Sequence, residues 1–373
     1  METDESIAQA RIGTLLGGTY ALQRLVGLGG MGAVYEARNT NTGMRVAVKV
    51  LHAEHAQNAD LRQRFLREAQ TTTELAHPGI VEVLDIGIDA DADVPYMVQE
   101  FLEGVELRKL IEESAPMAPE QAIELLAPVM TALAATHARG VVHRDIKPEN
   151  IVVTRDAEGR SAPKLIDFGV SKSIGGSRPS QLRTLAGTTI GTPYYMSPEQ
   201  VRGDASLDAR SDVWAVGAVL YEMLTGRVPF DAPNYNLLVI AIVTGTPERI
   251  EVHAPAIPTA LADLVHRALA NDRDARFASM QEFLHALQTC PLSALRATEV
   301  EEAAPIPLQR RVRTVAPERR STWPHAAISW AVAALSVAAV LAATLALPAR
   351  RPSAHLVASS PTTTAAPLSV HTL

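Results

Sequence analysis

Along the chain, apolar positions first recur with a period of two and then with a helical period, and the changes between them mark out the elements. Residues 20–26 set apolar beside polar side chains, as in a half-buried strand. A glycine cluster follows at 27–32, and residues 34–38 and 45–51 read as two more strands around the turn formers of 39–43. Residues 60–75 switch to helical spacing, with Leu61, Phe65, Ala69 and Leu75 near one face, until His77-Pro78-Gly79 stops them. Residues 81–88 and 96–101 return to strand character around the acidic loop 89–93. Five strands and one long helix make a small α+β lobe. Residues 1–19 read as a polar tail ahead of it.

Beyond Gly104 helical spacing takes over. Residues 120–139 form a long apolar helix with Pro119 at a favourable first-turn position. Pro128 inside it removes a backbone donor and predicts a kink. Residues 208–225, carrying Trp214 and Tyr221, are strongly apolar, and 234–243, 259–269 and 279–288 complete a mainly helical lobe. Residues 291–322 are rich in proline and arginine with weak periodicity, as expected of a linker.

Residues 326–347 then run for 22 positions without a charge. Such a helix spans roughly 33 Å, against a hydrocarbon core of about 30 Å. Arg310, Arg311, Arg313, Arg319 and Arg320 precede this stretch and only Arg350 and Arg351 follow it, so the positive-inside bias places the amino-terminal part in the cytoplasm. Trp323 and Trp330 suit the inner interface. Ala334, Ala338, Ala342 and Ala346 form a stripe that permits a homodimer through close helix pairing, although so alanine-rich a segment produces such a stripe by composition alone. The chain thus divides into a tail (1–19), a two-lobed domain (20–288), a linker (289–325), a membrane helix (326–347) and a short outer tail (348–373).

Composition narrows the class. With 47% hydrophobic and 20% charged residues the chain is not mainly disordered. A net charge of −7 gives no global basic field for nucleic acid. Cys290 is the sole cysteine, so no intramolecular disulfide forms, which suits a reducing compartment. The acidic start lacks the apolar run of a signal peptide.

The candidate chemistry begins at Gly27-Leu28-Gly29-Gly30-Met31-Gly32-Ala33-Val34. Dinucleotide-binding folds also use G-x-G-x-x-G, but there the glycines open a helix. Here a strand follows, then Val46-Ala47-Val48-Lys49, which suits a flexible lid whose amides approach phosphates without side-chain obstruction. Lys49 ends an apolar strand where a lone ammonium would be costly. Glu68, on the following helix, supplies the partner; the pair is either a surface salt bridge or a switch in which the helix delivers Glu68 to Lys49. Farther on, His143-Arg144-Asp145-Ile146-Lys147-Pro148-Glu149-Asn150 precedes Asp167-Phe168-Gly169. A base for a hydroxyl, a lysine for a phosphate, and an amide with a carboxylate for Mg²⁺ need that inventory.

In these motifs and their order the sequence resembles the bacterial Ser/Thr kinases with eukaryotic-like catalytic domains, over about residues 20–288. The resemblance implies a bilobal kinase fold using ATP and Mg²⁺ on protein substrates. It makes Asp145 the base, Lys147 the group steadying the γ-phosphoryl, Asn150 and Asp167 the metal holders, and Gly169 a pivot. Val26, Val34, Ala47 and Val152 would line the adenine site, with the backbone of Glu100 and Leu102 as hinge. Lys147 and Gly191-Thr192-Pro193 match the serine/threonine branch, Glu199 would pair with Arg276, and Asp212 would receive catalytic-loop amides. Arg144 beside the base implies ordering by a phosphate on the activation segment, with Thr184, Thr188 and Thr189 as candidates. The sequence departs from the family pattern at Gln99, where relatives often carry methionine at the rear of the adenine site, and at Ala118, where a capping serine is usual. A nucleotide-binding scaffold and a small-molecule phosphotransferase stand as rivals.

Overall fold

The amino-terminal lobe is built on antiparallel pairing, and the alternation of its strands decides what reaches the site. The structure, a computed structural model, describes residues 4–168 and 193–292. The lobe comprises α1 (Asp4–Ala10), β1 (Leu15–Leu16), β2 (Tyr20–Leu28), β3 (Gly32–Asn39), β4 (Arg45–Leu51), the single turn α2 (Ala53–Ala56), α3 (Ala59–Leu75), β5 (Val83–Asp89) and β6 (Val94–Glu100). Its sheet runs β1-β2-β3-β4-β6-β5. Along β4, Val46, Val48 and Val50 are buried while Ala47 and Lys49 point to the opposite face, as a period of two requires. Val34 lies directly across from Lys49, and Ala47 across from Gln99, so all four share that face.

The sheet has six strands, not the expected five, because Leu15–Leu16 adds one too short to show alternation. The stretch read as a polar tail is likewise ordered from Asp4. Ala8 and Leu16 are buried, and the Tyr35 hydroxyl donates to the Ala8 carbonyl at 3.1 Å. Helix α3 begins at an Asn58 cap, whose side chain accepts from the amides of Asp60 and Leu61. It ends at Ala76, which takes a left-handed φ of 34°.

The second lobe opens with β7 (Gly104–Glu106), α4 (Leu107–Ser114) and α5 (Pro119–His137), followed by β8 (Ile151–Arg155) and β9 (Ser161–Leu165); the strands form a second sheet, β7-β8-β9. After residue 192 come α6 (Pro198–Arg202), α7 (Arg210–Thr225), α8 (Tyr235–Thr244), α9 (Ile250–His253), α10 (Thr259–Ala268) and α11 (Met280–Thr289). Pro128 lies within one continuous α5, and its cap Ala118 makes no side-chain bond, as expected. Helix α7 is buried from Ser211 through Thr225 and forms the axle of this lobe. Its first turn carries Asp212 to the site.

Gly169, Thr184, Thr188, Thr189, Thr192 and the apolar stretch 326–347 lie outside the described residues. Among the described residues no helix is long and apolar enough to cross a membrane.

Candidate active site

The Lys49 ammonium reaches from the sheet to both sides of the cleft. It donates to Glu68 Oε1 on α3 at 2.9 Å and to Asp167 Oδ1, just after β9, at 2.7 Å. Burial alone would depress its pKa, but the charge of Asp167 and then that of Glu68 outweigh burial and raise it. Lys49 is therefore a permanent cation facing the cleft, and Glu68 is the partner the sequence named.

Opposite it, a buried carboxylate shapes the catalytic loop. Asp212 accepts from the backbone amides of His143 and Arg144, each at 2.8 Å, and from His137 Nε2 at 2.7 Å. Burial opposes its charge, yet the bond from His137, the nearby His143 and the Arg144 amide hold it below the usual carboxylate range. Two successive amides turned onto one carboxylate leave Arg144 at φ 67°, a left-handed conformation costly for a side chain with a Cβ. That turn presents Asp145. Asn150 Nδ2 donates to the Asp145 carbonyl at 2.8 Å and to its Oδ2 at 3.1 Å, and Lys147 Nζ stands 3.5 Å from the same oxygen.

With its amide nitrogen committed to Asp145, Asn150 keeps its Oδ1 as a hard oxygen donor, and Asp167 supplies a half-exposed carboxylate. This donor set fits Mg²⁺, which takes one or two protein oxygens and completes its shell with phosphates and water. Among the described residues no group of three His, Cys, Asp or Glu could hold a metal alone.

The remaining candidates are spread over both lobes. Val26 is exposed and Val34, Ala47 and Val152 are half-buried, apolar surface suited to a planar base. Glu100 ends β6, its carboxylate taking Lys164 Nζ at 2.5 Å, and Leu102 follows; Gln99 is buried, with its amide 3.7 Å from Met97 Sδ. The glycine loop turns between β2 and β3, with Gly29 N donating to Gly32 O at 2.9 Å. A Cβ on Gly32 would lie 2.2 Å from the Val50 carbonyl, so close approach demands that glycine. His143 and Phe168 pack against each other in the core, ring centroids 4.5 Å apart. Glu199 binds Arg276 at 2.8 Å.

Several positioning residues escaped the sequence reading, among them His137 at Asp212 and one arginine. Arg108 on α4 binds Glu149 at 2.9 Å and Glu222 on α7 at 2.7 Å, and also the Tyr195 hydroxyl. It ties the catalytic loop to the segment leading into α6. Its partners lie 41 or more positions away, and no local pattern announces them.

A two-lobed α+β domain with a glycine-turn hairpin, a lysine clamped by two carboxylates and an Asp-Lys-Asn loop defines a phosphoryl-transfer architecture. The chain belongs to the protein kinase domain family, whose model matches residues 20–287. It is 38% identical over 277 residues to the probable serine/threonine-protein kinase SCO3848 of Streptomyces coelicolor, covering 74% of this chain and 40% of that protein. To serine/threonine-protein kinase PknB of Mycobacterium tuberculosis it is 40% identical over 266 residues, covering 70% of this chain and 41% of the relative. The chain thus spans about two fifths of the length of these relatives. The crystal structure of the Mycobacterium tuberculosis PknI kinase domain matches with a TM-score of 0.56 at 26% identity, covering 74% of this chain and 97% of that one.

Proposed function

We propose that this protein is a serine/threonine protein kinase, transferring the γ-phosphoryl group of ATP to hydroxyls of protein substrates, and anchored to the membrane by residues 326–347. The observation that carries the reading is Lys49 held by Glu68 and Asp167 across the cleft from Asp145. Lys49 binds the α- and β-phosphates, and Glu68 keeps it in place. Asp145 orients the substrate hydroxyl and takes its proton, and Lys147 steadies the transferred group. Asn150 and Asp167 would hold Mg²⁺, which neutralises phosphate charge when bound. The full set Lys49, Glu68, Asp145, Asn150 and Asp167 argues against a non-catalytic scaffold. The buried segment Ser197-Pro198-Glu199, fixed by Arg276, favours a protein over a small-molecule acceptor. Radiolabelled ATP supplied to the full chain in detergent with a generic basic protein is expected to label that protein on serine or threonine; binding of ATP without label would favour the scaffold.

Activation-segment autophosphorylation is part of the same proposal. Among the described residues the buried Arg144 Nε has no hydrogen-bond partner, and burial lowers the pKa of this guanidinium even though Asp212 works to raise it. A cation so placed beside the base is suited to a phosphate on Thr184, Thr188 or Thr189. Phosphatase treatment is expected to lower activity at least tenfold if one charge-assisted pair orders the loop, an effect of about 1.5–3 kcal/mol. Equal activity before and after treatment would exclude it.

A further inference from the structure

The glycine loop is tied down at its carbonyl end. The Gly32 carbonyl accepts from Gly29 N at 2.9 Å, and the Met31 carbonyl from His52 N at 3.0 Å. The other two carbonyls of the turn go to imidazoles. His52 Nε2 donates to Gly29 O and His55 Nε2 to Gly30 O, each at 2.9 Å. A carbonyl only accepts, so both Nε2 atoms carry hydrogen. His52 is the N-cap of the single turn α2 and His55 lies within it, and their rings meet edge-on with centroids 6.0 Å apart.

A peptide unit is planar and trans, so fixing a C=O toward residues 52–55 turns the N–H of the next residue the opposite way. The histidines therefore set the direction of the Gly30 and Met31 amides. Glycines permit this geometry but do not select it, because a glycine turn samples many conformations at little cost. A phosphate lid of free glycines would lose that freedom on closing over nucleotide, and a lid held beforehand loses less.

We propose that His52 and His55 are positioning residues for ATP, a paired latch that preorganises the glycine loop through the carbonyls of Gly29 and Gly30. The proposal rests on the reading of that loop as the phosphate lid. Neither histidine touches the reacting atoms; each acts through the backbone it holds.

The test compares the full chain in detergent with His52→Phe/His55→Phe, which keeps two rings without a donor, and with His52→Gln/His55→Gln, which keeps a donor N–H. In the Phe variant the KM for ATP and the dissociation constant of a non-hydrolysable ATP analogue are expected to rise together, by about five- to thirtyfold for two lost hydrogen bonds. Amides of residues 27–32 should exchange hydrogen faster in its nucleotide-free form, with exchange in the rest of the domain unaltered. The Gln variant should recover most of both effects, which a merely structural role for the rings would not allow. Wild-type affinity in the Phe variant, or lost affinity with unaltered loop exchange, overturns the latch. Should the double variant not fold, His55→Phe carries the same two measurements, its side chain being 26% exposed. If the wild-type chain binds no nucleotide, the ATP reading fails, and the exchange comparison still decides whether these histidines hold the loop.

Discussion

Asp145→Asn is expected to lower phosphoryl transfer by about 10²–10⁴-fold, the usual contribution of a positioned acid or base, while leaving the protein folded. Asparagine preserves the volume of the side chain and still offers an oxygen to Asn150 Nδ2, which now donates to the Asp145 carboxylate at 3.1 Å. It cannot accept the hydroxyl proton, and it removes the negative partner of Lys147, 3.5 Å away. The loop itself is held from elsewhere, by the Asp212 carboxylate and the Asn150 bond to the Asp145 backbone. Initial rates with radiolabelled ATP and a thermal melt of the same preparation decide the matter. Undiminished autophosphorylation would move the base to another residue.

The second large effect is on stability. Arg276 is 2% exposed and binds Glu199 through two parallel bonds at 2.8 and 2.9 Å. It also donates to the carbonyls of Ala270 and Arg210. Removing one member of such a pair strands a buried charge, so Arg276→Met should cost about 3–5 kcal/mol in denaturant unfolding. Replacing Glu199 by Gln at the same time should return part of that loss, because no buried charge is then left over. Acid has a related effect. Burial pushes the Glu199 pKa up, but the bonds and charge of Arg276 win and bring it from 4.5 down to about 2. A carboxylate with a depressed folded-state pKa stabilises fully above its unfolded value and loses that contribution as pH falls toward the folded one. The gap between wild type and Arg276→Met should therefore narrow as pH drops from 4.5 toward 2. A gap that stays constant would mean the pair contributes nothing through its charge.

The sequence made legible whatever is periodic or ordered by motif. The long helices at α3, α5 and α7 and the hairpins around them followed from spacing, because each must bury one face over several turns or residues. Elements of two to five residues, such as β1, α6 and α9, span too little chain to display a period, and they form because neighbours hold them. The ordering of residues 4–16 was missed for the same reason: a few contacts, Ala8 and Leu16 above all, decide it. In the site, Asp145, Lys147 and Asn150 lie within one loop, and Glu68 is 19 residues from Lys49. Asp167 is 118 residues from Lys49, and no local pattern announced the bond between them. Arg108, with partners 41, 87 and 114 residues away, had neither locality nor motif to reveal it.

The hold of Asp212 on the catalytic loop also orders events during folding. Its three donors lie 68, 69 and 75 residues earlier in the chain. Closing such loops is slow, because chain entropy is lost before any contact rewards it. Locally the strained turn at Arg144 is spanned only by a long bond among the described residues, Asp145 N to His143 Nδ1 at 3.3 Å, so its hold comes mainly once α7 docks. A nascent chain with only its first lobe complete holds the Lys49–Glu68 pair but not the turn that presents Asp145. The loop at 143–150 then takes its final form late, once α7 has been made and has docked.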